Sequence, residues 1–360
     1  MPNSLPQVCH FLILLGALSL ASTEALGQPV MVNPADGTLT LVTPSAAEQA
    51  KLGRVDGLDF DPFGNLMAVL EISDATAGAV YIDKLTGAVT TLITGVSRLD
   101  QIALDPSGDL WVTREVGGPS TSNRIYRLVV GYDGSNTPIP TGTSLTTLVT
   151  SENVDHPEGL VVLESASAFG NAGDLYVAED GVSGGVYRIE PATGTATLLS
   201  GDLNRPEGMA LGTFSGQAPS ALYVAVTLDH VIKRIEADGT TTTFGDPAAV
   251  SLTSPDNVEF GPDGYMYVTE DRIAPNSRII RVAPDGTHSV YATGFDEAQG
   301  MIFDDNGDMY VAEQGLARIW RIRPPSAVPG LPAFAGNGRF LLALLALIPG
   351  VFALRRRSAT

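Results

Sequence analysis

Six side chains recur at one place in a repeating pattern: Asp56, Asp100, Glu158, Glu207, Asp256 and Gln299. Each is the second residue of a short apolar run, in VDGLDF, LDQIAL, PEGLVV, PEGMAL, PDNVEF and AQGMIF. A second acidic set lies at or just past the end of the following run: Glu71, Glu115, Glu179, Asp180, Glu270, Asp271 and Glu313. Carboxylates gathered in one small volume repel, which raises some of their pKa values or calls for a cation. An oxygen-only donor set suits Ca²⁺ better than Zn²⁺, which prefers nitrogen and sulfur. Asp56, Asp100, Glu158, Glu207, Asp256 and Asn257 are therefore the candidate metal ligands. The competing reading is a wide, wet opening that tolerates solvated acids, with Glu-Gly at a strand start serving turn chemistry.

Other chemistry is sparse. His156 precedes Pro157 beside the acidic set and is the candidate general base. His230 falls in a loop on the same face, and His288 in an outer strand is expected at the surface. No Ser-His-Asp grouping, phosphate-binding loop or CxxC pair is present, and no cofactor-binding motif appears. Asp-rich turns recur at Asp61–Asn65, Asp105–Asp109 and Asp304–Asp308. The last resembles the opening of an EF-hand loop but lacks the closing bidentate Glu. Hairpin turns with Gly at positive φ account for all of them.

The elements that position these residues are repeats. Units begin near Val55, Leu99, Pro157, Arg205, Ser254 and Ala298, each a series of strand-sized apolar runs separated by turn residues. A period of roughly 40–50 residues with four strands each is the signature of a β-propeller. The last unit has three runs. PVMVNPADGTLTLVTPS, from Pro29, matches the third and fourth strands of a unit, so Thr38–Thr43 is expected to supply the missing outer strand. The fold is thus an all-β, six-bladed propeller of four-stranded antiparallel blades, closed by the N-terminal segment over residues 28–325. The innermost strand of each blade lines the channel. Its start shares one face, the top, with the end of the second strand; the first-to-second and third-to-fourth turns share the bottom.

The 360 residues carry a net charge of −19, so nucleic acid is an unfavourable partner. Residues 1–27 read as a signal peptide, with an apolar segment at Phe11–Leu20 and small residues at Ala25-Leu26-Gly27. The single cysteine, Cys9, leaves with it. Residues 326–339 form a Pro/Gly/Ala linker, and 340–360 an apolar helix, Phe340–Leu354, followed by Arg355-Arg356-Arg357. This order predicts export, the C-terminal helix held in the inner membrane with the propeller outside, and a monomer at the cell surface or beyond. The tail resembles PEP-CTERM sorting tails, with Val328-Pro329 at the start of the motif, which implies exosortase-type processing machinery as a partner.

HPEGL, RPEGM and SPDNV, with LYVAED and MYVTED, resemble NHL and SMP-30/gluconolactonase-like six-bladed propellers over about Val55 to Pro324. The resemblance implies a catalytic Ca²⁺ at the channel mouth, with Asp256-Asn257 matching the Asp-Asn pair of the related paraoxonases and Glu158 and Glu207 in the same column. Here the column is almost wholly acidic, where that family mixes in asparagines. Two functions follow: an exported, surface-sorted binding or matrix module for an unknown extracellular ligand, or a Ca²⁺-dependent lactonase or esterase.

Overall fold

The computed structural model describes residues 28–73, 78–116, 124–149, 154–214, 220–245 and 250–325. Residues 1–27 and 326–360, on which the expected signal peptide, linker, apolar helix and arginine cluster fall, lie outside the described residues. Among the described residues, no helix is long and apolar enough to cross a membrane.

Six antiparallel sheets make the six blades. From the channel outward, blade 1 runs Val55–Phe60, Leu66–Leu70, Gly78–Ile82 and Val89–Thr94. The innermost strands of blades 2 to 6 are Leu99–Leu104, Pro157–Val162, Pro206–Gly212, Pro255–Phe260 and Ala298–Phe303. Their second strands are Leu110–Arg114, Leu175–Glu179, Ala221–Val226, Met266–Glu270 and Met309–Glu313. Apolar residues run almost unbroken along the second strands, which are buried at successive positions, so each blade buries both faces against its neighbours. Six hydrophobic clusters result, one in each seam. Full burial of a Leu, Ile or Val contributes about 1.5–3 kcal/mol, so a lone blade with two exposed faces is not viable.

Thr38–Leu41 pairs with Arg318–Arg323 as the outer strand of blade 6 and closes the ring, as expected. The residues before it depart from the expectation. Val30–Met31 is not a third strand of that blade; it adds a fifth strand to blade 5, paired with Ala292 and Thr293. Blade 6 already has its third strand, Arg318–Arg323, and Val30–Met31 pairs instead with the open edge of blade 5. A short helix unforeseen in the sequence, Ala46–Leu52, follows, capped by Ser45. Glu48 accepts from the Val89 amide at 2.5 Å, and Lys51 donates to the Val89 carbonyl at 2.9 Å. The N-terminal segment therefore ties blades 5, 6 and 1 together.

Candidate functional site

Every innermost strand slips register at one place. Pairing with the second strand breaks between its first and fourth residues: Val55 and Leu58, Leu99 and Ile102, Pro157 and Leu160, Pro206 and Met209, Pro255 and Val258, Ala298 and Met301. Such a bulge re-aims side chains, and the two residues it frees are the acidic column and its successor. The residue before the strand is bent as well. Arg98, His156, Arg205, Ser254 and Glu297 hold φ between 51° and 56°, a left-handed conformation uncommon outside glycine. In all six blades the carbonyl ahead of the strand (Arg54 in blade 1) accepts the amide at the end of the second strand, from Glu71, Glu115, Asp180, Thr227, Asp271 or Gln314. Glycine lets the inner strands close up. A Cβ on Gly159 would sit 2.1 Å from the Glu207 carbonyl oxygen, and one on Gly300 2.4 Å from that of Asp56.

The acids of the column are held by different partners. Asp56 accepts from Gln314 Nε2 at 3.0 Å, and the same amide reaches Glu71 at 3.2 Å. Arg54 bonds Glu71, Glu297 and Gln314. Asp100 accepts from the Glu115 amide at 2.9 Å. With its amide nitrogen turned toward Asp256, Gln299 donates to both oxygens of that carboxyl, at 2.5 and 2.8 Å. Glu207 and Asp256 share a side-chain hydrogen bond.

Of the six candidate ligands, Glu158 and Glu207 meet within metal-binding distance, and the third member is Asp180. One oxygen from each lies within 4.8 Å of the others. Glu158 Oε2 is buried without a hydrogen-bond partner. Arg205 clamps Asp180 with two bonds of 2.6 Å and reaches Glu207 at 3.4 Å. Three carboxylates against one guanidinium leave two negative charges, which one divalent cation would balance. All the donors are oxygens, as Ca²⁺ prefers. The orphaned Glu158 oxygen and the charge surplus fit a hard cation; the described residues supply no sulfur or histidine cluster for a softer one.

The electrostatics agree. Burial, then the charges of Glu71 and Asp271, pushes Asp56 well up; burial, then Asp56 and Glu71, does the same to Asp100. Burial followed by Glu207 raises Glu158 and Asp256. Glu207 is pushed up to about 7, chiefly by burial. These carboxyls resist full ionisation unless positive charge joins them.

The second-strand acids divide by strand alternation. Glu179, Glu270 and Glu313 face the seams. Glu270 is buried against Arg278 and the Thr253 amide, and Glu313 against Trp320 and the Asp296 amide. The next residue in each blade faces the channel, which explains Asp180. A strict period-two reading of LYVAED finds it.

His156 Nδ1 lies 2.6 Å from Glu115 Oε1, and its carbonyl accepts the Asp180 amide at 2.9 Å. His230 Nδ1 accepts the Ser254 amide at 3.2 Å, a structural role. His288 is not at the surface: it is 4% exposed and bonded to the Val250 carbonyl, because the loop from blade 4 folds over it. The turn aspartates take structural roles. Asp61, Asp105 and Asp304 each accept two backbone amides of their own turn. Asn257 lines a cavity of about 310 Å³ in the channel below the acidic ring.

No protein-family model and no curated protein sequence matches this chain. Solved structures do. A gluconolactonase of Xanthomonas campestris superposes with TM-score 0.57 and 14% identity, covering 82% of this chain and 94% of that one. An auxiliary nutrient-binding protein of Bacteroides thetaiotaomicron gives 0.56 and 17%, over 75% and 69%. Virginiamycin B lyase of Staphylococcus aureus gives 0.50 and 15%, over 80% and 99%. At these identities the likeness is one of fold: this chain is a six-bladed β-propeller built like those of gluconolactonase-type proteins.

Proposed function

We propose that this propeller is a Ca²⁺-dependent hydrolase of a lactone or ester, working outside the cytoplasm. The observation that carries the reading is the convergence of Glu158, Asp180 and Glu207 at the channel mouth, with a buried Glu158 oxygen lacking any partner. Those three would hold the cation, with Asp256 next to Glu207. When bound, the ion supplies Lewis-acid polarisation of a substrate carbonyl. His156 is the candidate general base. With a proton on Nδ1 it donates to Glu115, which orients the ring and leaves Nε2 to take a proton from water. Arg205 holds Asp180 in place. Export rests on the segments 1–27 and 326–360.

Calorimetric titration of the chelator-treated protein with CaCl₂ should give saturable heat. Hydrolysis of glucono-δ-lactone or phenyl acetate should require the ion. His156→Asn suits the left-handed backbone there; it should lower kcat by at least about 10²-fold and leave calcium binding intact. Absence of both heat and thermal shift would overturn the site and the hydrolase together. The better account would then be an exported, surface-sorted binding module, a role for which the nutrient-binding neighbour offers a parallel in fold.

A further inference from the structure

Below the acidic ring the channel opens into the 310 Å³ cavity, lined by inner-strand residues of all six blades. That volume is at the lower end of small-molecule sites. Its lining combines three carboxylates, Asp59, Glu164 and Glu259, with aliphatic side chains such as Leu160, Met209 and Met301. No lysine, arginine or histidine is among its described lining residues. Ser165, Ser167 and Ser220, from the first-to-second strand connections of blades 3 and 4, place its outer end at the bottom face.

Two further residues point to a ligand. Directly after the acidic column, four blades carry glycine: Gly57, Gly159, Gly208 and Gly300. Blades 2 and 5, which stand opposite each other, carry Gln101 and Asn257 instead. Both are 8% exposed and line the cavity. Their backbone amides are satisfied by Thr113 and Thr269, while neither side-chain amide has a hydrogen-bond partner among the described residues. Polar side chains this buried are ordinarily paired, so the two carboxamides offer unused donors and acceptors across the channel.

We propose that this chamber binds a small organic cation, an ammonium group on an apolar body. The charge of the lining selects a cation over an anion. The spacing selects an organic one over a metal: among the described residues only the Glu158 group brings its oxygens within ligating distance, and Asp59, Glu164 and Glu259 do not converge. Aliphatic walls take the body of the ligand, Glu164 and Glu259 take its charge while Asp59 is held by the Phe60 and Leu104 amides, and Gln101 and Asn257 take its N–H groups or attendant water. The proposal is independent of the hydrolase reading.

The test is titration calorimetry of the full-length protein with hexylammonium chloride and, as neutral control, 1-hexanol, in CaCl₂. The expected result is binding of the ammonium at least about tenfold tighter than of the alcohol. Glu259→Gln should weaken it about tenfold, while Glu158→Gln leaves it unchanged. If Glu259→Gln does not fold, Glu164→Gln, which alters an exposed residue of the same lining, carries the test with the same expectation. Equal affinity for ammonium and alcohol, no binding of either, undiminished binding in the carboxamide variant of the lining, or loss in Glu158→Gln would each overturn the chamber.

Discussion

The two ends of this propeller use the same side chain for opposite ends. At the bottom, each turn aspartate is surrounded by donors. Asp61 accepts the amides of Phe63 and Asn65 and the side chain of Asn65. Asp133 and Asp285 accept the amides of their own turns, which lowers their pKa values. At the top the carboxyls face one another, and burial pushes Asp56, Asp100, Glu158 and Asp256 up. A carboxylate whose oxygens are filled by backbone amides is structure. One crowded by its own kind, with an orphaned oxygen, either keeps a proton or takes a cation, and the cation is the reading proposed above.

The largest expected effect removes the frame that holds both ends. Deleting residues 28–45 takes away the outer strand of blade 6 and the extra strand of blade 5. It should abolish the cooperative thermal transition, followed by circular dichroism; an unchanged melting temperature would refute closure by this segment. Next comes the bottom alone. Asp61→Ala frees three donors and should cost about 3 kcal/mol in chemical denaturation. The thermal shift produced by CaCl₂ should be unaltered.

How much of this contrast was legible beforehand depends on the level. Repeat period, blade number and the closing strand follow from apolar runs and turn residues, which are local signals. The acidic column was visible because it recurs at a fixed offset from PEG and PDN. The bulge and the left-handed residue before it were not, because Arg98, His156 and Glu297 carry no glycine to announce positive φ. Without them the two freed positions per inner strand cannot be distinguished, and which acids meet Asp180 across the channel cannot be named. Val30–Met31 resembled a third strand because a strand pairs with whichever edge is open, and that choice is tertiary. His288 looked exposed because its cover comes from another blade.

The top offers a change in the opposite direction. Without divalent cation, Glu158→Gln removes a carboxyl that burial and its neighbours disfavour when charged. At pH 8, where the wild-type carboxyl is pressed to ionise against burial and the charge of Glu207, the variant should be more stable than the wild type. In CaCl₂ at about 100 times Kd the wild type should gain roughly 2.7 kcal/mol by mass action, and the variant should lose that gain. Denaturant midpoints with and without the ion measure both.

The smallest effect separates the ends by pH. Raised carboxyls contribute stability that is fully present below their unfolded pKa and is lost as pH rises through the folded value, about 7 for Glu207. The cation-free protein should therefore be more stable at pH 5 than at pH 8, and CaCl₂ should narrow or reverse the difference. Turn aspartates have the opposite sign. Asp285 has its pKa lowered from 3.8 by hydrogen bonds from Thr287. Its stability is present above the unfolded value and fades as pH falls through the lowered one. Asp285→Asn keeps an oxygen for the Thr287 amide, so stability at pH 7 should scarcely change. Only the limb below about pH 4 should flatten, while the pH 5 to pH 8 limb, which belongs to the top, stays as it was. A change in that upper limb would mean that the two ends are coupled through the blade, and the division of labour between them would fail.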